Sequence, residues 1–115
     1  MMNVLFVCTA NRDRSPTAEE VFQDVPGWKV KSAGTESYAR VSVTDELLVW
    51  ADRIFTMEEY HSRAIVEKCP SCYDKITVLG IEDVYNRNSA KLVAILITNM
   101  ADVVDLDEWV RARIR

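Results

Sequence analysis

Cys8 and Arg14 bracket Thr9-Ala10-Asn11-Arg12-Asp13, and Ser15-Pro16 follows at once. The apolar run Val4-Leu5-Phe6-Val7 leads into the cysteine. Ser is a favoured helix N-cap and Pro a favoured first helical residue, so the segment predicts a strand, a tight loop and a helix capped by Ser15. Backbone N–H groups of such a loop converge on an anion, and the same positive field favours the thiolate of a cysteine at the strand end. Arg14 adds a planar fork of donors that matches two phosphate oxygens. Nucleophile, anion cradle and charge clamp together describe phosphoryl transfer through a cysteinyl-phosphate.

The rest of the chain must hold this loop in place. Its 115 residues, 49% of them hydrophobic, suit one compact domain spanning 1–115 with a single core. Apolar runs alternate with helical patterns, which predicts an α/β fold: an open four-stranded parallel sheet flanked by helices, with the phosphate-binding loop after the first strand. Val4-Leu5-Phe6-Val7 reads as a central strand and the alternating Trp28-Lys29-Val30-Lys31 as an edge strand. Ile54-Phe55-Thr56-Met57 and Ile76-Thr77-Val78-Leu79 complete the sheet. Helices are predicted from Pro16 to Gln23, from Asp45 to Ala51 after a Thr44 cap, and from Glu58 to Glu67. Lys91 to Ile97 fits either period; Asn88 and Ser89 offer a cap, and we read it as a helix. Leu92, Ile95 and Leu96 would then face the sheet, leaving Val93, Ile97 and Met100 on the flank as an interface patch. Right-handed crossovers carry the phosphate loop to the carboxyl end of the sheet, where open α/β folds bind ligands.

Composition excludes several classes. The net charge is -4 and no basic stripe appears, which argues against nucleic acid and anionic membrane surfaces. The N-terminus lacks a signal-peptide pattern, and the apolar run Leu92 to Ile97 is too short to span a bilayer. Three cysteines and no secretion signal point to a reducing, cytoplasmic compartment. Cys69-Pro70-Ser71-Cys72 is a lone Cys-x-x-Cys with one histidine, His61, in the whole chain, so a zinc site lacks ligands. It reads as a helix end and turn carrying two thiols, and His61 as a helix-surface residue. The acidic run Asp102, Asp105, Asp107, Glu108 before Arg111, Arg113 and Arg115 fits the dipole of a short final helix.

Cys-x5-Arg-Ser-Pro-x-Ala-Glu after an apolar strand resembles the low-molecular-weight protein tyrosine phosphatase family. The match is close from Val4 to Glu19. It continues more weakly through Ser32-Ala33-Gly34-Thr35, Ala51 to Met57 and Ile81 to Tyr85. The resemblance implies hydrolysis of a phosphomonoester, phosphotyrosine first, with no metal or organic cofactor. It implies a phosphorylated protein or small aryl phosphate as substrate, inorganic phosphate as product, and a monomer or weak homodimer. By the same resemblance Cys8 is the nucleophile and Arg14 the clamp, while Ser15 hydrogen-bonds the sulfur and helps it leave. Thr9, Ala10, Asn11, Arg12 and Asp13 form the phosphate cradle, and Asn11 holds it in shape.

A general acid must protonate the leaving oxygen. The family carries an Asp-Pro-Tyr segment after its last strand, and Asp83-Val84-Tyr85 stands at that place without the proline. Asp83 is the expected acid, against Asp74, Glu82, Asp102 and Asp105, and Tyr85 is expected to flank the pocket. Asp13 occupies a position where many members carry a second cysteine. A carboxylate turned toward Cys8 would oppose the thiolate and repel phosphate, so Asp13 is expected to point outward, pairing with Arg12. Only Glu36-Ser37-Tyr38 separates Thr35 from Ala39-Arg40, where longer members have a helical segment, so part of the pocket wall is trimmed, as in a compact bacterial or archaeal subgroup. Two rivals stand beside this reading: an arsenate reductase on the same loop, served by Cys69 and Cys72, and a non-catalytic phosphate- or phosphopeptide-binding module.

Overall fold

Strand β1 (Met2–Cys8) alternates its apolar side chains between two cores, and that alternation organises the molecule. The computed structural model describes residues 1–113. Val4, Phe6 and Cys8 enter one core; Leu5 and Val7 enter the other. Strands flank β1 on both sides, β2 (Trp28–Gly34) and β3 (Arg53–Thr56), and β4 (Ile76–Val78) pairs with β3. The order is β2-β1-β3-β4 and every pairing is parallel. A central strand of a parallel sheet is covered on both faces, which is why its sequence is continuously apolar while β2, at the edge, alternates.

Helices α1 (Arg14–Phe22), α4 (Ala90–Ala101) and α5 (Asp107–Arg113) cover the first face, with Phe22, Leu92, Leu96 and Trp109 packed on Phe6 and Phe55. Helices α2 (Asp45–Trp50) and α3 (Glu59–Lys68) cover the second, with Leu48 and Ile65 on Leu5, Val7 and Ile54. Thr44 caps α2 by accepting the Leu47 N–H, and Ser89 caps α4 by accepting that of Leu92.

Three expectations are corrected. Ser15 is not a cap: α1 already begins at Arg14, and Ser15 is fully buried. Met100 is fully buried in the first core, because α4 continues to Ala101 and its last turn rolls that side chain under the sheet; Val93 and Ile97 are half-buried against the same core. Cys69 and Cys72 are joined as a disulfide across a 3₁₀ turn (Pro70–Lys75), with Cα atoms 5.4 Å apart, and Cys8 is left as the free cysteine. No helix among the described residues is long and apolar enough to cross a membrane.

Candidate active site

The loop 8–14 closes between the end of β1 and the start of α1, and its carbonyls determine what it presents. The Cys8 carbonyl accepts from Thr35 N (2.9 Å), that of Thr9 from Glu36 N (3.2 Å) and that of Ala10 from Arg40 N (3.1 Å). The Asn11 carbonyl accepts from Arg40 Nε (3.2 Å). A planar trans peptide sets the following N–H opposite its carbonyl. With the carbonyls anchored on the 35–40 connection, the N–H groups of residues 9–12 turn to the other side of the loop. The short connection predicted to leave the wall trimmed thus serves as the backing of the cradle. Gly34 permits this closeness: a Cβ there would lie 2.4 Å from the Thr9 carbonyl oxygen and 2.7 Å from the Ala39 Cβ. Asn11 adopts φ 55°, the left-handed conformation that Asn tolerates better than most side chains.

On that side lies a cavity of about 230 Å³ lined by Cys8, Thr9, Ala10, Arg12, Asp13, Arg14 and Asp83. Asn11 and Ser15 are buried behind it. A directional chain of hydrogen bonds runs there. The Asn11 amide nitrogen only donates, to Ser15 Oγ (2.8 Å) and Ser32 Oγ (2.9 Å). Each serine therefore has its own hydrogen to give. Ser32 gives it to Glu19 Oε1, while that of Ser15 has two acceptors in reach, the Ala33 carbonyl (3.3 Å) and Cys8 Sγ (2.9 Å), of which a thiolate is the stronger.

Arg14 is held chiefly through Nη1, which leaves Nε and one Nη2 hydrogen for a ligand. Nη1 donates to Glu58 and to the Ile81 carbonyl (2.8 Å), Nη2 to Thr9 Oγ1 (3.3 Å), and Nε lies 3.7 Å from Asp83 Oδ1. Burial disfavours its charge, but the hydroxyl of Tyr60, the carboxylates of Glu58 and Asp83, and Cys8 more than reverse this and raise its pKa. Glu58, Tyr60 and His61 come from the start of α3. The His61 Nδ1 accepts from Glu58 N (3.0 Å), which assigns the proton to Nε2, 2.9 Å from Thr9 Oγ1. Burial and then the Arg14 charge lower the His61 pKa to about 4, so the ring is neutral at pH 7. His61 is thus not a surface residue: it is fully buried beneath the loop. Neither Glu58 nor His61 was singled out as a site residue in the sequence. The available signal was position, because both follow β3 at the same sheet end as Cys8.

Asp83 reaches the cavity; Asp74, Glu82, Asp102 and Asp105 do not line it. Tyr85, expected to flank the pocket, is half-buried against the first core and is not among the residues lining the cavity. Asp13 Oδ1 accepts from Arg87 N (3.0 Å), and no Arg12 pair forms among the described residues. Neither Cys69 nor Cys72 lines the cavity, and no cluster of three potential metal ligands occurs among the described residues.

Comparison with known proteins adds the family. The model of the low molecular weight phosphotyrosine protein phosphatase matches residues 3–46. A protein-arginine-phosphatase of Geobacillus stearothermophilus is 32% identical, over 66% of this chain and 68% of its own. Among solved structures, the YwlE arginine phosphatase of the same organism superposes with a TM-score of 0.69 at 23% identity, covering 98% of this chain and 95% of its own. The low molecular weight phosphotyrosine phosphatase VcLMWPTP-2 of Vibrio cholerae gives 0.76 at 21%, over 95% and 97%. That of T. tengcongensis gives 0.67 at 27%, over 90% and 100%. By its cysteine-arginine loop, its four-stranded parallel sheet and these likenesses, the chain belongs to the low molecular weight phosphotyrosine protein phosphatase family, whose members are cysteine-dependent phosphatases.

Proposed function

We propose that this protein hydrolyses a protein phosphomonoester through a cysteinyl-phosphate on Cys8. The observation that carries this reading is one cavity lined by Cys8, Arg14 and Asp83 together. In the first step the Cys8 thiolate attacks phosphorus while the ester P–O bond breaks. Asp83 gives its proton to the leaving oxygen. Arg14 and the loop N–H groups of residues 9–12 bind the equatorial oxygens with donors already in place, which stabilises the transferring phosphoryl group better than reorganising water. In the second step water attacks the phosphocysteine, Asp83 takes its proton, and the sulfur leaves as a thiolate that accepts from Ser15. No step calls for a metal or an organic cofactor.

Phosphotyrosine is the first substrate. Phosphoarginine, a phosphoramidate, is a second, favoured by the 32% identical relative, a protein-arginine-phosphatase; there the P–N bond breaks as Cys8 attacks, and Asp83 gives its proton to the leaving guanidine nitrogen. The exposed Asp83 carboxylate on the cavity wall suits its guanidinium group. An arsenate reductase needs a second thiol to attack the Cys8 adduct, the two sulfurs joining as a disulfide while their electrons reduce arsenic; Cys69 and Cys72 do not line the cavity and are joined to each other.

The test is turnover of p-nitrophenyl phosphate by the wild type beside Cys8→Ser. The wild type is expected to turn over and Cys8→Ser to be inert while still binding phosphate. A wild type that binds phosphate without turnover makes the protein a phosphate-binding module. Arsenate-dependent oxidation of Cys69 and Cys72 from the reduced state makes it a reductase. Phosphotyrosyl and phosphoarginyl peptides offered in competition then rank the two substrates.

A further inference from the structure

We propose that Asp13 is a positioning residue that clasps the Asp83-bearing loop onto the phosphate loop through Arg87. This rests on Asp83 being the general acid. The segment from Leu79 to Ser89 has no regular secondary structure and the Asp83 side chain is 60% exposed, so beyond the 3.7 Å approach to Arg14 Nε nothing within the segment orients its carboxylate. Its upstream end is tied to the sheet. Leu79 N donates to the Thr56 carbonyl (2.8 Å), Ile81 N to that of Met57 (2.7 Å), and Arg14 Nη1 to that of Ile81 (2.8 Å).

The downstream end is held by hydrogen bonds and an ion pair to Asp13 and α1, and Asp13 also lines the cavity. Arg87 N donates to Asp13 Oδ1 (3.0 Å), Asn88 N to Thr17 Oγ1 (3.0 Å), and the Arg87 guanidinium pairs with Glu20. Asp13 is also the chain neighbour of Arg14, so one carboxylate couples the position of the clamp to that of the acid loop. The sequence gives such an anchor a purpose. Val84 follows Asp83, and unlike a proline it leaves φ free, so the segment between the two ties has more conformations to lose. A carboxylate at position 13 is tolerable beside an anion site because its charge is spent on the Arg87 amide.

The experiment measures turnover of a series of aryl phosphates with leaving groups from activated to poor, with amide exchange at Arg87 as a second readout. Asp13→Ala is expected to lose about 10-fold on the poor leaving groups, below the roughly 100-fold that a misplaced group can cost, and under about 2-fold on the activated ones. Arg87 N–H is expected to exchange faster in Asp13→Ala. Asp13→Asn keeps the accepting oxygen and is expected to restore both the leaving-group dependence and the slow exchange. In an Asp83→Asn background Asp13→Ala is expected to add nothing on the poor leaving groups. An equal loss on all esters, or the same loss in the Asp83→Asn background, overturns the clasp while leaving Asp83 as the acid. An Asp83→Asn variant without leaving-group dependence removes the acid assignment itself, and the clasp with it.

Discussion

His61 Nε2 lies 2.9 Å from Thr9 Oγ1, across 52 positions of sequence. This contact makes the start of α3 the floor of the phosphate loop. It also goes with a buried, neutral histidine: its Nδ1 is occupied by the Glu58 N–H, burial disfavours the charged ring, and Arg14 repels a second proton. Arg14, Glu58, Thr9 and His61 form one network, so the clamp, the loop and a buried titratable group share a single geometry.

That network makes stability depend on pH in one direction. The folded His61 pKa is lowered from 6.5 to about 4, so in between the unfolded chain binds a proton that the folded chain refuses. Stability from this group is full above about pH 6.5 and declines as pH falls toward 4. Between pH 7 and pH 5 the loss is expected to be about 2 kcal/mol. Urea unfolding at the two pH values checks it, and His61→Gln should flatten the difference; an unchanged difference in that variant would assign the pH dependence elsewhere.

Arg14→Lys should fall by about 100-fold or more in the chemical step, because an ammonium cannot form the two parallel contacts of a guanidinium. Glu58→Gln keeps Arg14 but weakens what orients it, so a smaller loss, about 10-fold, is expected, with Arg14→Lys adding less in the double variant than alone. Steady-state kinetics of the four proteins provide the cycle. Strict additivity would mean that Glu58 does not act through Arg14.

Ser15→Ala removes the hydroxyl 2.9 Å from Cys8 Sγ, the donor available to the departing thiolate. The sulfur is then a poorer leaving group, so the second step should slow by about 10-fold, in line with the loss of one hydrogen bond to a charged group. Stopped-flow mixing with p-nitrophenyl phosphate should show a burst of nitrophenol followed by a slower steady state. A slower burst with an unchanged steady state would contradict this role.

Gly34→Ala places a methyl 2.4 Å from the Thr9 carbonyl oxygen. Backbone at that distance cannot swing aside as a flexible side chain would, so the variant should lose about 1–3 kcal/mol and bind phosphate more weakly. Thermal unfolding with and without phosphate tests both; a stable variant with unaltered phosphate affinity would show that the loop does not depend on this approach.

Iodoacetate applied to the native, unreduced protein should modify Cys8, since Cys69 and Cys72 are joined. Phosphate should protect it by filling the cavity that Cys8 lines. After reduction and unfolding all three thiols should react. Labelling of Cys69 or Cys72 before reduction would mean the pair is open in solution.

Much of the fold followed from local sequence. The continuous apolar run Val4 to Val7, the alternation at Trp28 to Lys31, and the Thr44 and Ser89 caps are consequences of burial and of unpaired helix ends, which act within a few residues. The cradle was legible for the same reason, because Cys8 to Ser15 is one contiguous turn whose residue types carry their chemistry with them. The end of the first helical turn was not: Ser and Pro fit a cap, yet the chain spends Ser15 on the thiol and starts the helix at Arg14. His61 and Glu58 escaped because an isolated helix N-terminus looks alike whether it faces water or an arginine. Their environment is created when β3 pairs with β1 and brings the two strand ends side by side. Asp13 likewise showed only that its charge had to avoid Cys8. Which group receives that carboxylate was decided by the packing of the 79–89 segment on α1, where the Arg87 amide arrives from 74 residues away.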